Sequence, residues 1–225
     1  MQELFAAIQG GDRERVRRLL AERPDALLAR NPDGATPVLY AKYLGKAEVL
    51  EEIVAAMPAL SAFEAAAVGL LPALERAVGE APESLRAWST DGWTALHLAC
   101  FFGHLGCAQW LVQKGSDVQA QSRNALQNRP LHAAAAARRT DLCAFLLSQG
   151  ADPDARQKGG YTALHSAAQH GDEALVKALL DAGASPRVAD DSGKDAAQYA
   201  ADNGHPALAA RLRSQPGGRP RQTPS

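Results

Sequence analysis

His97, Cys100, His104 and Cys107 come closest, in type and spacing, to residues that could do chemistry. Two imidazoles and two thiols can give zinc a tetrahedral shell, and each His–Cys pair lies about one helical turn apart. Repetition argues otherwise. His97 recurs as His132 and His165 without the cysteines; Cys100 falls where the related segments carry Ala135 and Ala168, and Cys107 where they carry Leu142 and Leu175. Cysteine in such slots behaves as a small hydrophobe, so a structural role and no metal are expected. A histidine that returns once per unit is demanded by the structure and, if buried, needs hydrogen-bond partners; this reading replaces acid–base catalysis. Asp152 and Asp154 flank Pro153 as turn residues rather than as calcium ligands. Serine-nucleophile, phosphate-loop, HExxH and GxGxxG patterns do not occur. No catalytic residue and no cofactor are predicted.

The elements that position these histidines repeat with them. Thr94-Ala95-Leu96-His97, Arg129-Pro130-Leu131-His132 and Thr162-Ala163-Leu164-His165 stand at intervals of about 33 residues, the period of a β-turn plus two short helices. Thr94 caps a helix A near residues 95–102, Gly103 interrupts it, and helix B runs near 105–114 until Gly115. Proline at 37, after Thr36, takes the favoured first helical position. Paired leucines on helix B, such as Leu146 with Leu147 and Leu179 with Leu180, must be buried against neighbouring units. The pattern predicts an all-α solenoid of seven units over residues 1–213. One interval departs: Ala62 aligns with Val38 only 24 positions earlier, and residues 57–61 replace the projecting hairpin. A finger is missing there, which predicts either a notch between the hairpins near 31–35 and 88–93 or a bend.

The phrase G-x-T-x-L-H-x-A, a GH or GD bend, a leucine-rich helix and G-A-D together resemble the ankyrin repeat. DGWTALHLACFFGH and GGYTALHSAAQHGD stand almost as that family, including its bacterial-type members, writes them. The resemblance covers residues 2–213 and weakens at both ends, where Asp195-Ala196-Ala197-Gln198 replaces the phrase and terminal units meet water. It implies a non-enzymatic protein-binding scaffold whose Thr and His bond to each other and to the adjoining hairpin. It also implies partner contacts from hairpin tips and the end of helix A. Carried onto this chain, those positions are Trp88, Thr90, Asp91, Trp93, Phe101 and Phe102 in the fourth unit, with Tyr43 and Leu44 upstream. Downstream they are Arg123, Asn124 and Leu126, then Arg156, Lys158, Tyr161, Gln169 and His170, and finally Asp191, Ser192 and Lys194. Trp88, Trp93, Phe101 and Phe102 are expected to form one exposed patch, aromatic anchors with a basic rim.

Charge and cysteine usage bound the rest. With 24 Lys+Arg against 25 Asp+Glu, the chain lacks the basic surplus of a nucleic-acid binder. Such a contact would be confined to a strip of Arg123, Arg129, Arg138, Arg139, Arg156 and Lys158. The start lacks the basic lead and apolar run of a secretory signal, and no stretch approaches membrane-spanning length. Three cysteines without a CxxC spacing suit reduced thiols. A monomer in the cytoplasm, off the membrane, is expected. Residues 214–225, rich in Pro, Gly, Ser and Arg, are expected as a flexible, solvated tail.

Overall fold

The structure is a computed structural model and describes residues 2–215. Those residues form fourteen α-helices in seven antiparallel pairs. Helices A are α1 (Gln2–Gly10), α3 (Pro37–Tyr43), α5 (Ala62–Val68), α7 (Ala95–Phe102), α9 (Pro130–Ala136), α11 (Ala163–Gln169) and α13 (Ala196–Asp202). Helices B are α2 (Arg13–Glu22), α4 (Ala47–Ala56), α6 (Leu71–Glu80), α8 (Leu105–Gln113), α10 (Thr140–Ser148), α12 (Glu173–Asp181) and α14 (Pro206–Ser214). None is long enough to persist alone in water; each gains stability by burying its apolar face on the next pair. Side chains cap the N-termini: Thr36 Oγ1 accepts from Leu39 N at 3.2 Å, and Asp195 Oδ1 from Gln198 N at 2.8 Å. In α5, which lacks the Thr–His phrase, Ser61 and Glu64 form a reciprocal capping box instead.

Five hairpins project beside the helices, at 31–35, 89–93, 122–128, 157–161 and 190–194. Each is closed by an N–H of its first residue donating to the carbonyl of its last, at 2.7 to 3.0 Å. Neighbouring tips are tied by one backbone bond per step: Arg123 N to Gly92 O at 2.8 Å, Lys158 N to Leu126 O at 3.0 Å, and Asp191 N to Gly159 O at 2.9 Å. The third unit has no hairpin, as expected, but the predicted notch is closed. Thr90 Oγ1 donates to the Gly34 carbonyl, so the second finger meets the fourth directly. Gly34 makes this approach possible: its φ is +85°, and a Cβ there would lie 2.6 Å from the Thr90 carbonyl oxygen.

The interior divides at the same place. One apolar core runs from Ala62 to Leu212 and fills the third to seventh units. A second, built on Leu4, Ile8, Val16, Leu27, Val38, Val49 and Ile53, belongs to the first two units. Those two units are also stitched on the outside, where Glu52 pairs with Arg13 at 2.6 Å and Arg17 at 2.7 Å. Hydrogen bonds from both guanidiniums, Arg17 foremost, lower the Glu52 carboxyl to about 2. A third apolar cluster, with Leu39, Ala67, Trp93, Leu98 and Ala133, spans the division on the finger side.

Of the segment expected as a flexible tail, Ser214 is the last residue of α14. Arg187 Nη2 donates to the carbonyls of Arg213 and Gln215, at 2.6 and 3.4 Å. Residues 216–225 lie outside the described residues.

Candidate protein-binding surface

The recurring histidines hold units together. His97 Nδ1 faces Thr94 Oγ1 at 2.8 Å, and its Nε2 faces the Asn128 carbonyl of the next hairpin at 3.1 Å. His132 Nε2 reaches Ala155 O at 2.9 Å, and His165 Nε2 reaches Lys194 O at 3.1 Å. A carbonyl partner requires Nε2 to carry the proton, and Nδ1 accepts from Arg129 N in His132 and from Thr162 N in His165, so these imidazoles bridge one unit to the next in the neutral form. Burial lowers both His97 and His132 to about 4, and it lowers His165 as well. At α3, before the missing hairpin, the same position is Leu39, and at the seventh unit it is Gln198.

The four residues of zinc-like spacing serve separate purposes. His104 Nε2 donates to Ala67 O at 3.0 Å, away from His97. Cys100 and Cys107 are buried in the main core, where desolvation pushes both thiols up. Among the described residues, no three His, Cys, Asp or Glu side chains are placed to hold a metal ion.

The aromatic positions separate into two groups. Trp93, expected to be exposed, is buried at 9% exposure. Its ring meets His97 edge-on at 5.5 Å and Phe101 at 5.5 Å, so it fills the third apolar cluster. Phe101 and Phe102 are half-buried and 5.1 Å apart, and Tyr43 adds its ring 5.4 Å from Phe102. Tyr43 and Leu44 are exposed, at 37% and 39%. Tyr43 Oη donates to Asp91 Oδ2 at 2.7 Å, and burial raises its phenol above the usual tyrosine range. Trp88 does not join these rings. It is half-buried, donates Nε1–H to Gln121 O at 2.9 Å, and lies under the Arg123 guanidinium at 3.5 Å. With Leu85, Arg86, Ser116 and Gln119 it lines a cleft of about 660 Å³. The single exposed patch expected of four rings is therefore replaced by Tyr43, Leu44, Phe101 and Phe102.

The remaining finger positions are tied to their neighbours. Asn124 Oδ1 accepts from Ser122 Oγ and Leu126 N, at 2.9 and 3.0 Å. The hairpin it supports carries Leu126 to its tip, 48% exposed. Arg156 pairs with Asp191 at 3.1 Å, and Lys158 stays exposed. Ser192 Oγ and Lys194 N both donate to Asp190 Oδ1, at 2.7 and 2.9 Å. Tyr161 stacks on His165 at 5.2 Å and donates to Gln169 Oε1 at 2.5 Å; His170 Nδ1 faces Ser166 O at 2.8 Å. The basic strip is broken: Arg123 sits on a finger and Arg156 just ahead of the next, while Arg138 and Arg139 follow α9 at its far end. Arg129 donates to Gln119 Oε1 at 2.7 Å.

Sequence reasoning missed Lys42. Its Nζ lies 5.1 Å from the centroid of Phe102, reaching from the second unit to the fourth. The signal was present: Lys42 occupies the helix A position that α7, α9 and α11 give to Cys100, Ala135 and Ala168.

Among the described residues, no helix is long and apolar enough to cross a membrane. The family model for ankyrin repeats matches three times, over residues 4–122, 62–157 and 131–222. The mouse ankyrin repeat and SAM domain-containing protein 6 is 31% identical over 133 residues, covering 54% of this chain and 14% of that protein. The human protein phosphatase 1 regulatory subunit 27 is 36% identical over 77 residues, covering 34% of this chain and 49% of that protein. The chain thus spans half or less of the length of these relatives. Helix pairs, projecting hairpins, bridging histidines and the matched models agree: the chain belongs to the ankyrin repeat family.

Proposed function

We propose that the chain is a non-enzymatic scaffold, monomeric and cytoplasmic, that binds a partner protein on its finger tips and the inner ends of helix A. The observation that carries this reading is the ring network of Tyr43, Phe101 and Phe102, left partly open to water beside the exposed Leu44. An apolar surface of this kind, rimmed by polar fingers, is what a binding hot spot needs. Ankyrin-repeat arrays generally mediate protein–protein interaction, and one relative is named as a regulatory subunit, which supports the same reading. The test is affinity capture from native cell extract followed by mass spectrometry. A Tyr43→Ala, Leu44→Ala double variant should keep its melting midpoint and lose the captured protein. Capture that is unchanged in the variant would overturn the assignment of this surface.

A further inference from the structure

Two cationic side chains and a histidine, from three units, gather where helix A turns into helix B. Lys42 crosses from α3 to the face of Phe102; the intervening α5 offers only Ala65, Ala66 and Ala67 along its middle, too small to block a long side chain. The His104 ring rests on Gly69, where a Cβ would come within 2.3 Å of Nδ1. The Arg139 guanidinium rests on Gly103, where a Cβ would come within 2.8 Å of Nε. Phe102, Gly103 and His104 are thus flanked by Lys42 on one side and Arg139 on the other.

No carboxylate forms an ion pair with Lys42, Arg138 or Arg139 among the described residues. Lys42 and Arg139 feel one another instead: burial and then Arg139 lower Lys42, while burial and then Lys42 lower His104, which leaves that imidazole neutral. The fifth unit adds a further charge at a conformational cost. Arg138 has φ +56° at the bend where other units place Gly45, Gly69, Gly103, Gly171 and Gly204, a region that a Cβ resists. Glycine would serve the bend better; what arginine adds is charge. Beside these cations stand exposed Tyr43, Leu44 and Leu70.

We infer that this corner receives an acidic segment of the partner protein, with carboxylates against Lys42 and Arg139 and an apolar side chain on Tyr43 and Phe102. The inference rests on the protein-binding reading and narrows it to a class of partner. An opposing charge relieves the repulsion between Arg139 and half-buried Lys42 and sets orientation and on-rate. The adjoining rings favour a peptide over a bare anion, which has nothing to place on them. They also favour it over a nucleic-acid duplex, which needs a continuous run of free cations, whereas Arg156 is paired and Arg123 lies on Trp88.

The experiment measures fluorescence anisotropy of labelled hexapeptides EELEEL and KKLKKL with the full chain, at about 20 and about 200 mM salt. EELEEL should bind, more weakly at the higher salt, and KKLKKL should not. K42M and R139M should each weaken EELEEL about tenfold or more, while R76M on exposed α6 leaves it unchanged; circular dichroism checks each fold. Should K42M not fold, R139M decides alone. Equal binding of both peptides, indifference to R139M, or equal displacement by inorganic phosphate or single-stranded DNA of matched charge overturns the inference. If EELEEL fails while native capture is still lost in the Tyr43→Ala, Leu44→Ala variant, the acidic-segment inference falls and the protein-binding reading stands.

Discussion

The junction between the fifth and sixth units and the junction across the fingerless third unit meet the same requirement with different groups. At the former, a backbone N–H of Lys158 ties finger to finger and His132 reaches across to Ala155 O. At the latter, the Thr90 hydroxyl meets the Gly34 carbonyl, and Leu39 stands where the histidine would be. A histidine there would have no hairpin carbonyl to meet, and a buried donor without a partner is costly. What the array keeps continuous is the row of fingers. The core behind them gives way instead and divides between the second and third units.

Acid should separate the two junctions most strongly. The folded chain keeps His97 and His132 neutral down to about 4, against 6.5 for the free side chain. Below pH 6.5 the unfolded chain takes up protons that the folded chain refuses, so stability falls with pH until the folded imidazoles also titrate near 4. Each histidine contributes roughly 3 kcal/mol to this loss. Urea midpoints measured from pH 7.5 to 4.5 should fall accordingly, and His97→Gln should flatten the profile. Hydrogen exchange at low pH should open the fourth to sixth units before the Gly34–Thr90 contact; the reverse order would break the comparison.

Two glycines of equal φ sharpen it. Gly34 and Gly193 both have φ +85°, but a Cβ at Gly34 meets the Thr90 carbonyl, whereas at Gly193 it meets nothing within 4 Å. Alanine at either position carries the left-handed penalty of about 1–2 kcal/mol. Gly34→Ala should lose about 1–3 kcal/mol more, by overlap at the finger contact. Equal losses by thermal melting would mean that the second and fourth fingers do not touch. Smaller effects follow from the hydroxyl itself: Thr90→Val should cost about 1 kcal/mol in denaturant unfolding. At the bend of the fifth unit, Arg138→Gly should stabilise the chain by about 1 kcal/mol in the same assay by relieving its φ.

The helices and their order were legible because they follow from local chemistry: a capping Thr94, glycines at the bends, and leucines at helical spacing. The histidine bridge was legible because it repeats. Trp93 was not, because the last residue of a hairpin faces water or core according to which ring the following helix offers, and Phe101 and His97 together enclose it. The closing of the notch depends on Gly34, in the finger before the gap, finding Thr90 in the finger after it, 56 positions along the chain. Lys42 escaped for the same reason, since its reach to Phe102 exists only once the third unit is seen to be short and alanine-lined.

The divided interior has a thermal consequence. In a linear array, cooperativity passes only through contact between neighbours, so a shallow interface splits the melting of the chain into two coupled blocks. The first two units, with their own small core and the Glu52 ion pairs, form the block with fewer neighbours and should loosen first. A ligand that touches Tyr43 on one block and Phe102 on the other fastens them together. Its binding energy then appears as a rise in the lower transition toward the upper one, which makes the weakest seam of the array the place where occupancy is most readily felt.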